Sequence, residues 1–175
     1  MAGLEDLDEG LAGHRVADER RQQVASLVAD WRIQADRATR PAPGKLPGDA
    51  AVLGLVNAWS GRDSTVVCAA GGLPGELHKL WRASGPGGYH LEYGYSCMGY
   101  EIAGGLGVKM ACPEREVIVL VGDGSYLMMN SEIATSISLG LELIIVVLDN
   151  RGFGCIERLQ KSTGGESFNN LLAEE

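Results

Sequence analysis

Two polar side chains in this sequence could bind a metal ion together. Asp123 lies in a Gly-Asp-Gly turn directly after the apolar run 117–121, and Asn150 follows the apolar run 143–148. Both runs are rich in β-branched and aliphatic residues, which predicts strands that are buried on both faces. Carboxylate and carboxamide oxygens beside a glycine-rich turn are ligands that suit Mg²⁺ holding a phosphate group. The sequence therefore predicts a magnesium and phosphate site, provided that the fold brings the two turns together.

The segment between the two runs indicates how the turns meet. Residues 131–139 carry isoleucines four positions apart and end at Gly140, which predicts a single helix between the two strands. A strand, a helix and a second strand form a right-handed crossover with parallel strands. Both turns then emerge at the same carboxyl edge of the sheet. We therefore expect Asp123 and Asn150 to be close in space.

The remaining segments after residue 47 predict alternating helices and strands. Glycine-rich turns separate them at 71–75 and 85–88. The predicted helices cover 50–59, 77–81, 98–110 and 152–160, and a third strand covers 65–69. This alternation predicts an α/β class, with a doubly wound, mainly parallel sheet and helices on both faces. Three strands make a thin sheet, so we expect the fold to be incomplete at the carboxyl-terminal end and to continue past Glu175.

Residues 1–47 differ in character from the rest of the chain. The first residues are acidic, and a helix is predicted from residue 16 onward. Its apolar residues are predicted to share one face: Val24, Leu27, Val28 and Trp31. Residues 37–47 are rich in proline, glycine and basic residues, which is typical of a linker. We expect 1–47 to be a helical connector and linker from a preceding domain, and 48–175 to be a truncated diphosphate-binding domain.

Composition restricts the classes of partner. The net charge of −8 and the pI near 4.9 argue against nucleic acid and against an anionic membrane. No signal peptide is recognisable, and the apolar runs are too short to span a bilayer. The four cysteines form no CxxC pair, so buried, reduced thiols in a cytoplasmic protein are expected rather than zinc ligands or disulfides. They are Cys68, Cys97, Cys112 and Cys155.

Several common catalytic motifs do not fit. The Gly-Asp-Gly turn lacks the third glycine of a dinucleotide fingerprint, because Leu127 stands there. Ser125 lacks the flanking glycines of a nucleophile elbow. No P-loop is present, and the three histidines show no metal-binding spacing.

The turn at Asp123, followed after 25 intervening residues by Asn150, resembles the signature of thiamine-diphosphate-dependent enzymes. The resemblance implies the carboxyl-terminal diphosphate-binding domain of that family, with thiamine diphosphate and Mg²⁺ as cofactors. It implies that the metal ligands are the side chains of Asp123 and Asn150 and the backbone carbonyl of Gly152. Members commonly have two asparagines where this chain has Asp149 and Asn150, and only the second is the usual ligand.

Further segments resemble the same family. The run 95–100 resembles its aminopyrimidine-binding turn, in which Met98 would be the wedge beneath the cofactor and the carbonyl of Ser96 would accept from the 4′-amino group. The resemblance implies additional cofactor contacts on the diphosphate side: Gly72, Leu73, Gly124, Ser125 and Ile156. The activating glutamate of the family lies on an amino-terminal domain, so no catalytic residue is assigned in this chain. We expect the fragment alone to be inactive.

The runs 73–81 and 88–101 resemble one branch of the family, which hydrolyses a carbon–carbon bond of a cyclic 1,2-dione in inositol catabolism (EC 3.7.1 type). The resemblance implies a small-molecule cyclic dione as substrate and a homo-oligomer, dimer or tetramer, at full length. His90, Glu92 and Glu101 are candidates for substrate contact, with packing or surface roles as the alternative. Two other functions stay open: an acetolactate-synthase-like carboligase or decarboxylase, and a non-catalytic phosphate-binding α/β module.

Overall fold

The computed structural model describes residues 2–171, which divide into two compact units on either side of the Ala38–Thr39 junction. The first unit holds α1 (Ala2–Gly10) and α2 (Asp18–Ala38). Helix α1 was not predicted, and the predicted linker begins too early, because α2 continues to Ala38. The apolar residues named for the predicted helix are all exposed to solvent. The domain boundary after residue 47 stays a prediction.

The second unit alternates helices and strands as the sequence predicts. Its elements are α3 (Asp49–Trp59), β1 (Ser64–Cys68), α4 (Leu73–Leu80), β2 (Tyr89–Leu91), α5 (Tyr100–Ala111), β3 (Glu116–Gly122), α6 (Asp123–Met129), α7 (Glu132–Leu139), β4 (Ile144–Leu148) and α8 (Gly154–Ser162). Two helices, α6 and α7, join β3 to β4, so the prediction of a single helix there is wrong. Helix α7 does end at Gly140, whose φ of 64° suits a glycine.

The four strands form one parallel sheet in the order β2-β1-β3-β4. This confirms the α/β class with a mainly parallel sheet. The short strand β2 was not among the predicted strands, and it adds an edge strand beside β1. From β1 the chain passes to β2 at one edge of the sheet. It then returns to β3 on the other side of β1 and continues to β4 at the opposite edge. The direction in which strands are added therefore reverses between β1 and β3.

The core lies around the two central strands. Strand β1 is buried throughout, as are residues 117–121 of β3. Helix α5 packs closely on β3, since a Cβ atom on Gly105 would lie 2.5 Å from a methyl carbon of Val119. Strand β4 is only half-buried, and Val147 is exposed. The prediction that β4 is buried on both faces is therefore wrong, because β4 is an edge strand of this sheet.

The cysteines occupy different environments. Cys68 is buried at the end of β1, where burial, and then the charge of Glu101, raise the pKa of its thiol to about 12. Cys97 is exposed, and Cys112 and Cys155 are half-buried. The prediction of four buried thiols thus holds only for Cys68. Across residues 2–171, no helix combines the length and the hydropathy that a bilayer span requires.

Candidate functional site

A cavity lies where the carboxyl ends of β1, β3 and β4 meet. Gly122 at the end of β3 pairs with Leu148 at the end of β4, so the turns that follow these strands are neighbours. This confirms the expected proximity of Asp123 and Asn150, which both line the cavity. The structure brings all ten predicted metal and cofactor residues to this one cavity: Gly72, Leu73, Ser96, Met98, Asp123, Gly124, Ser125, Asn150, Gly152 and Ile156.

The metal corner of the cavity centres on the Asp123 carboxylate. Its Oδ2 accepts a hydrogen bond of 2.6 Å from the N–H of Gly152, whereas its Oδ1 is buried and has no hydrogen-bond partner. A buried carboxylate oxygen without a partner is costly, and a bound cation would compensate for it. Within the described residues, no three His, Cys, Asp or Glu side chains cluster as a metal site. A site at Asp123 must therefore use other oxygen ligands.

Asn150 and Gly152 can supply such oxygens. The Asn150 amide lies against Gly154, where a Cβ atom would be 3.0 Å from its Oδ1. Gly152 has a φ of 130°, a conformation that favours glycine, and its carbonyl oxygen lies 3.4 Å from the position of a Cβ atom on Gly124. The chain can thus present one carboxylate, one carboxamide and one carbonyl from neighbouring turns. This donor set fits the oxygen preference of Mg²⁺.

Glycine is required where the turns of the cavity approach each other. A Cβ atom on Gly124 would lie 2.8 Å from the ring of Phe153, so only glycine lets the start of α6 approach the 152–153 segment. Leu73 begins α4 directly after Gly72, and the first N–H groups of a helix have no partners within it. Such backbone groups suit the oxygens of a diphosphate.

Ser125 is engaged by the protein itself. Its hydroxyl donates to Glu101 Oε2 at 2.7 Å and accepts from the N–H of Gly99 at 2.7 Å. The side chain is therefore committed to these internal contacts, and its backbone N–H is the group that remains for a ligand.

The turn around Met98 is fixed by local hydrogen bonds. Ser96 has a φ of 53° and Gly99 a φ of 87°, so the turn contains two residues with left-handed backbone conformations. Glu92 accepts from the N–H groups of Cys97 and Tyr95, and these bonds lower the pKa of its carboxyl. Met98 lines the cavity at the end of this turn.

The polar residues considered for substrate contact do not line this cavity. Glu92 supports the turn, and Glu101 is buried. His90 stacks on Tyr100, with its Nε2 2.7 Å from the Tyr100 hydroxyl, and it lines a separate groove beside α5. These contacts favour the alternative of packing or surface roles for the three residues.

Other cavity residues were not assigned from the sequence. They include Asp49, Phe153, Cys155 and Arg158. The Arg158 guanidinium lies close to Gly72 and brings positive charge to the diphosphate side. Gly154 and Arg158 are four positions apart on α8 and share a helix face, but neither was assigned to the cavity from the sequence, so helical spacing alone gave no signal for Arg158.

Comparison with known proteins identifies the family. Residues 69–173 match the model described as "Thiamine pyrophosphate enzyme, C-terminal TPP binding domain". Over 124 residues, or 71 % of this chain, the sequence is 53 % identical to a protein of Shouchella clausii, 51 % identical to one of Bacillus licheniformis and 49 % identical to one of Bacillus subtilis. Each is named 3D-(3,5/4)-trihydroxycyclohexane-1,2-dione hydrolase, and the match spans 19 % of its length. The chain therefore belongs to the thiamine pyrophosphate enzymes, as part of their C-terminal TPP-binding domain.

Proposed function

We propose that the protein carrying this chain is a thiamine-diphosphate- and Mg²⁺-dependent hydrolase (EC 3.7.1 type) of inositol catabolism. Its substrate is 3D-(3,5/4)-trihydroxycyclohexane-1,2-dione, and it opens the ring to 5-deoxyglucuronate by hydrolysing a carbon–carbon bond. The proposal is supported by the family of the domain and by the names of relatives about 50 % identical over most of this chain.

The observation that carries the cofactor part is the unpaired Oδ1 of Asp123. Asp123 would hold Mg²⁺ together with the Asn150 side chain and the Gly152 carbonyl. The diphosphate would then be held by Mg²⁺ and by backbone N–H groups of the neighbouring turns: Gly72, Leu73, Gly124 and Ser125. The Arg158 guanidinium beside Gly72 adds favourable charge for an anionic ligand.

The opposite side of the cavity would hold the organic part of the cofactor. Met98 supplies a large, adaptable apolar surface, and the carbonyl of Ser96 can accept from an amino group. Ile156 supplies a second apolar side chain that lines the cavity. When bound, thiamine diphosphate supplies the electron sink that cleavage of a carbon–carbon bond requires.

A polyhydroxylated ring needs several hydrogen-bonding partners. Tyr93 and Asp49 line the cavity and carry such groups. As part of the same proposal, the full-length protein is a cytoplasmic homo-oligomer, and a segment outside this chain supplies the activating glutamate. The relatives' length supports a further segment, since this chain spans 19 % of it.

The test has two stages. Mass spectrometry of the ligand released from the full-length protein should detect thiamine diphosphate. Product analysis with the cyclic dione and with pyruvate, side by side, should then show ring opening and little decarboxylation. Efficient use of pyruvate with the dione untouched would instead support a carboligase or decarboxylase. Failure to bind thiamine diphosphate in the presence of Mg²⁺ would favour a non-catalytic phosphate-binding module.

A further inference from the structure

Glu101 is a carboxylate that the protein encloses almost completely. It lies in the first turn of α5 and is 1 % exposed. Glutamate is almost never fully buried unless its oxygens are paired, because removal of its charge from water is costly. The contacts that compensate for this burial are therefore informative.

Three hydrogen-bond donors converge on the Glu101 carboxylate. Its Oε1 accepts from the N–H of Ala70 at 3.3 Å. Its Oε2 accepts from the N–H of Gly99 at 3.1 Å and from the Ser125 hydroxyl at 2.7 Å. All three groups donate. Glutamine has only one side-chain oxygen, and its NH₂ group would face at least one of these donors, so an amide cannot reproduce the arrangement.

The three donors belong to three different turns of the cavity. Ala70 lies in the turn between β1 and α4, two residues before Gly72. Gly99 directly follows Met98, and Ser125 lies in the first turn of α6, which also carries Asp123. Glu101 itself does not line the cavity, so it would touch neither the diphosphate nor the organic part of a cofactor.

We infer that Glu101 is a positioning residue, which joins the diphosphate-side turns to the Met98 turn in the geometry that binds thiamine diphosphate. This inference rests on the proposed function. Glu101 thus contributes to the binding of the whole cofactor from outside the cavity. It acts through the Ser125 hydroxyl and the backbone N–H groups of Ala70 and Gly99. Loss of the carboxylate should let the turns shift relative to each other while each remains intact.

The test compares two ligands in the full-length protein. Isothermal titration calorimetry with Mg²⁺ should show that Glu101→Gln weakens binding of thiamine diphosphate by about 10- to 100-fold, the effect of one or two hydrogen bonds to a charged group. Binding of inorganic diphosphate, which needs only the diphosphate-side turns, should fall by a smaller factor. Ser136→Ala is the control, since this buried serine donates only within α7, to the carbonyl of Ile133.

The outcomes separate the inference from the proposed function. A lower melting temperature of Glu101→Gln with unchanged affinity for thiamine diphosphate would overturn the inference, and so would equal losses for the two ligands. If that variant does not fold, Ser125→Ala replaces it, because it keeps the backbone N–H of Ser125 and removes the hydroxyl that donates to Glu101 and accepts from the N–H of Gly99. Its affinity for thiamine diphosphate should fall about 3- to 10-fold, and unchanged affinity would overturn the inference. Failure of the wild-type protein to bind thiamine diphosphate would contradict the proposed function instead.

Discussion

Replacement of Asp123 by asparagine is the sharpest test of the metal site. The substitution preserves the size of the side chain but removes its negative charge. It also replaces one of the two carboxylate oxygens by an NH₂ group, and in the wild-type carboxylate the buried Oδ1 has no hydrogen-bond partner. Removal of one member of a buried ionic contact weakens the contact by about 3 to 5 kcal/mol. The Kd for thiamine diphosphate with Mg²⁺ should therefore rise by at least about 100-fold.

The effect can be read as a change in melting temperature. A ligand at about 100 times its Kd raises the free energy of unfolding by about 2.7 kcal/mol. The full-length protein, at the length of its relatives, is several times longer than this chain, so 1 kcal/mol shifts its Tm by roughly 1 °C. The wild-type protein should therefore gain roughly 2 to 3 °C. After a 100-fold rise in Kd the ligand concentration is near the Kd, and the gain falls to about 0.4 kcal/mol, or about 0.4 °C.

Thermal unfolding of the full-length protein, with and without both ligands, measures this difference. The matched control is Asp149→Asn, which removes an equal charge from an exposed carboxylate whose Oδ1 accepts from the N–H of Arg151. It also creates the pair of asparagines that is common in the family, so it should keep the wild-type gain in Tm. The metal assignment is refuted if the ligands raise the Tm of Asp123→Asn by as much as they raise the Tm of the wild-type protein.

Other changes test the backbone and the ionisable groups. Gly152→Ala would place a methyl group against the carbonyl oxygen of Asn170 at a φ of 130°, so urea unfolding should show a loss of about 2 to 4 kcal/mol; wild-type stability would contradict this geometry. Hydrogen bonds, first that from Lys161, lower the pKa of Glu157 to about 2. The ionised Glu157 side chain contributes fully to stability above the pKa that it has in the unfolded chain, and this contribution is lost as the pH falls toward 2. The Tm difference between the wild-type protein and Glu157→Gln should therefore shrink between about pH 6 and about pH 3. A constant difference would contradict the lowered pKa of Glu157. Alkylation at about pH 8, mapped by mass spectrometry, should label exposed Cys97 in the folded protein and Cys68 only after unfolding; equal labelling rates would disprove the burial of Cys68.

The metal corner could be predicted because its signals are local and strong. The β-branched run of β3 and the turn at Asp123 identify a strand and its carboxyl end. The handedness of crossovers then places Asn150 beside it. The strand β2 gave no such signal, since it has three half-buried residues and is defined by its pairing with β1. An edge strand of this kind depends on its neighbour rather than on its own composition.

The burial of Glu101 could not be predicted for a related reason. A glutamate in the first turn of a helix is favourable to the helix dipole and usually faces solvent. Two of its donors, Ala70 and Ser125, are 31 and 24 residues away in the sequence. Their convergence depends on the packing of α5 against the sheet. The same packing directs His90 toward Tyr100 and away from the cavity.

The buried strands form the core, and the turns at their carboxyl ends form the pocket, so the two parts can change independently. The interiors of β1 and β3 supply the core, whereas the groups proposed to face the cofactor belong to turns and helix starts. Exchange of segment 92–98 for that of a family member with another substrate would leave the metal-binding turns and the core unchanged. The transplanted segment would have to bring the next residue, Gly99, to where its N–H reaches Glu101. Under the proposed function, replacement of this one short segment could change the substrate while the scaffold stays unchanged.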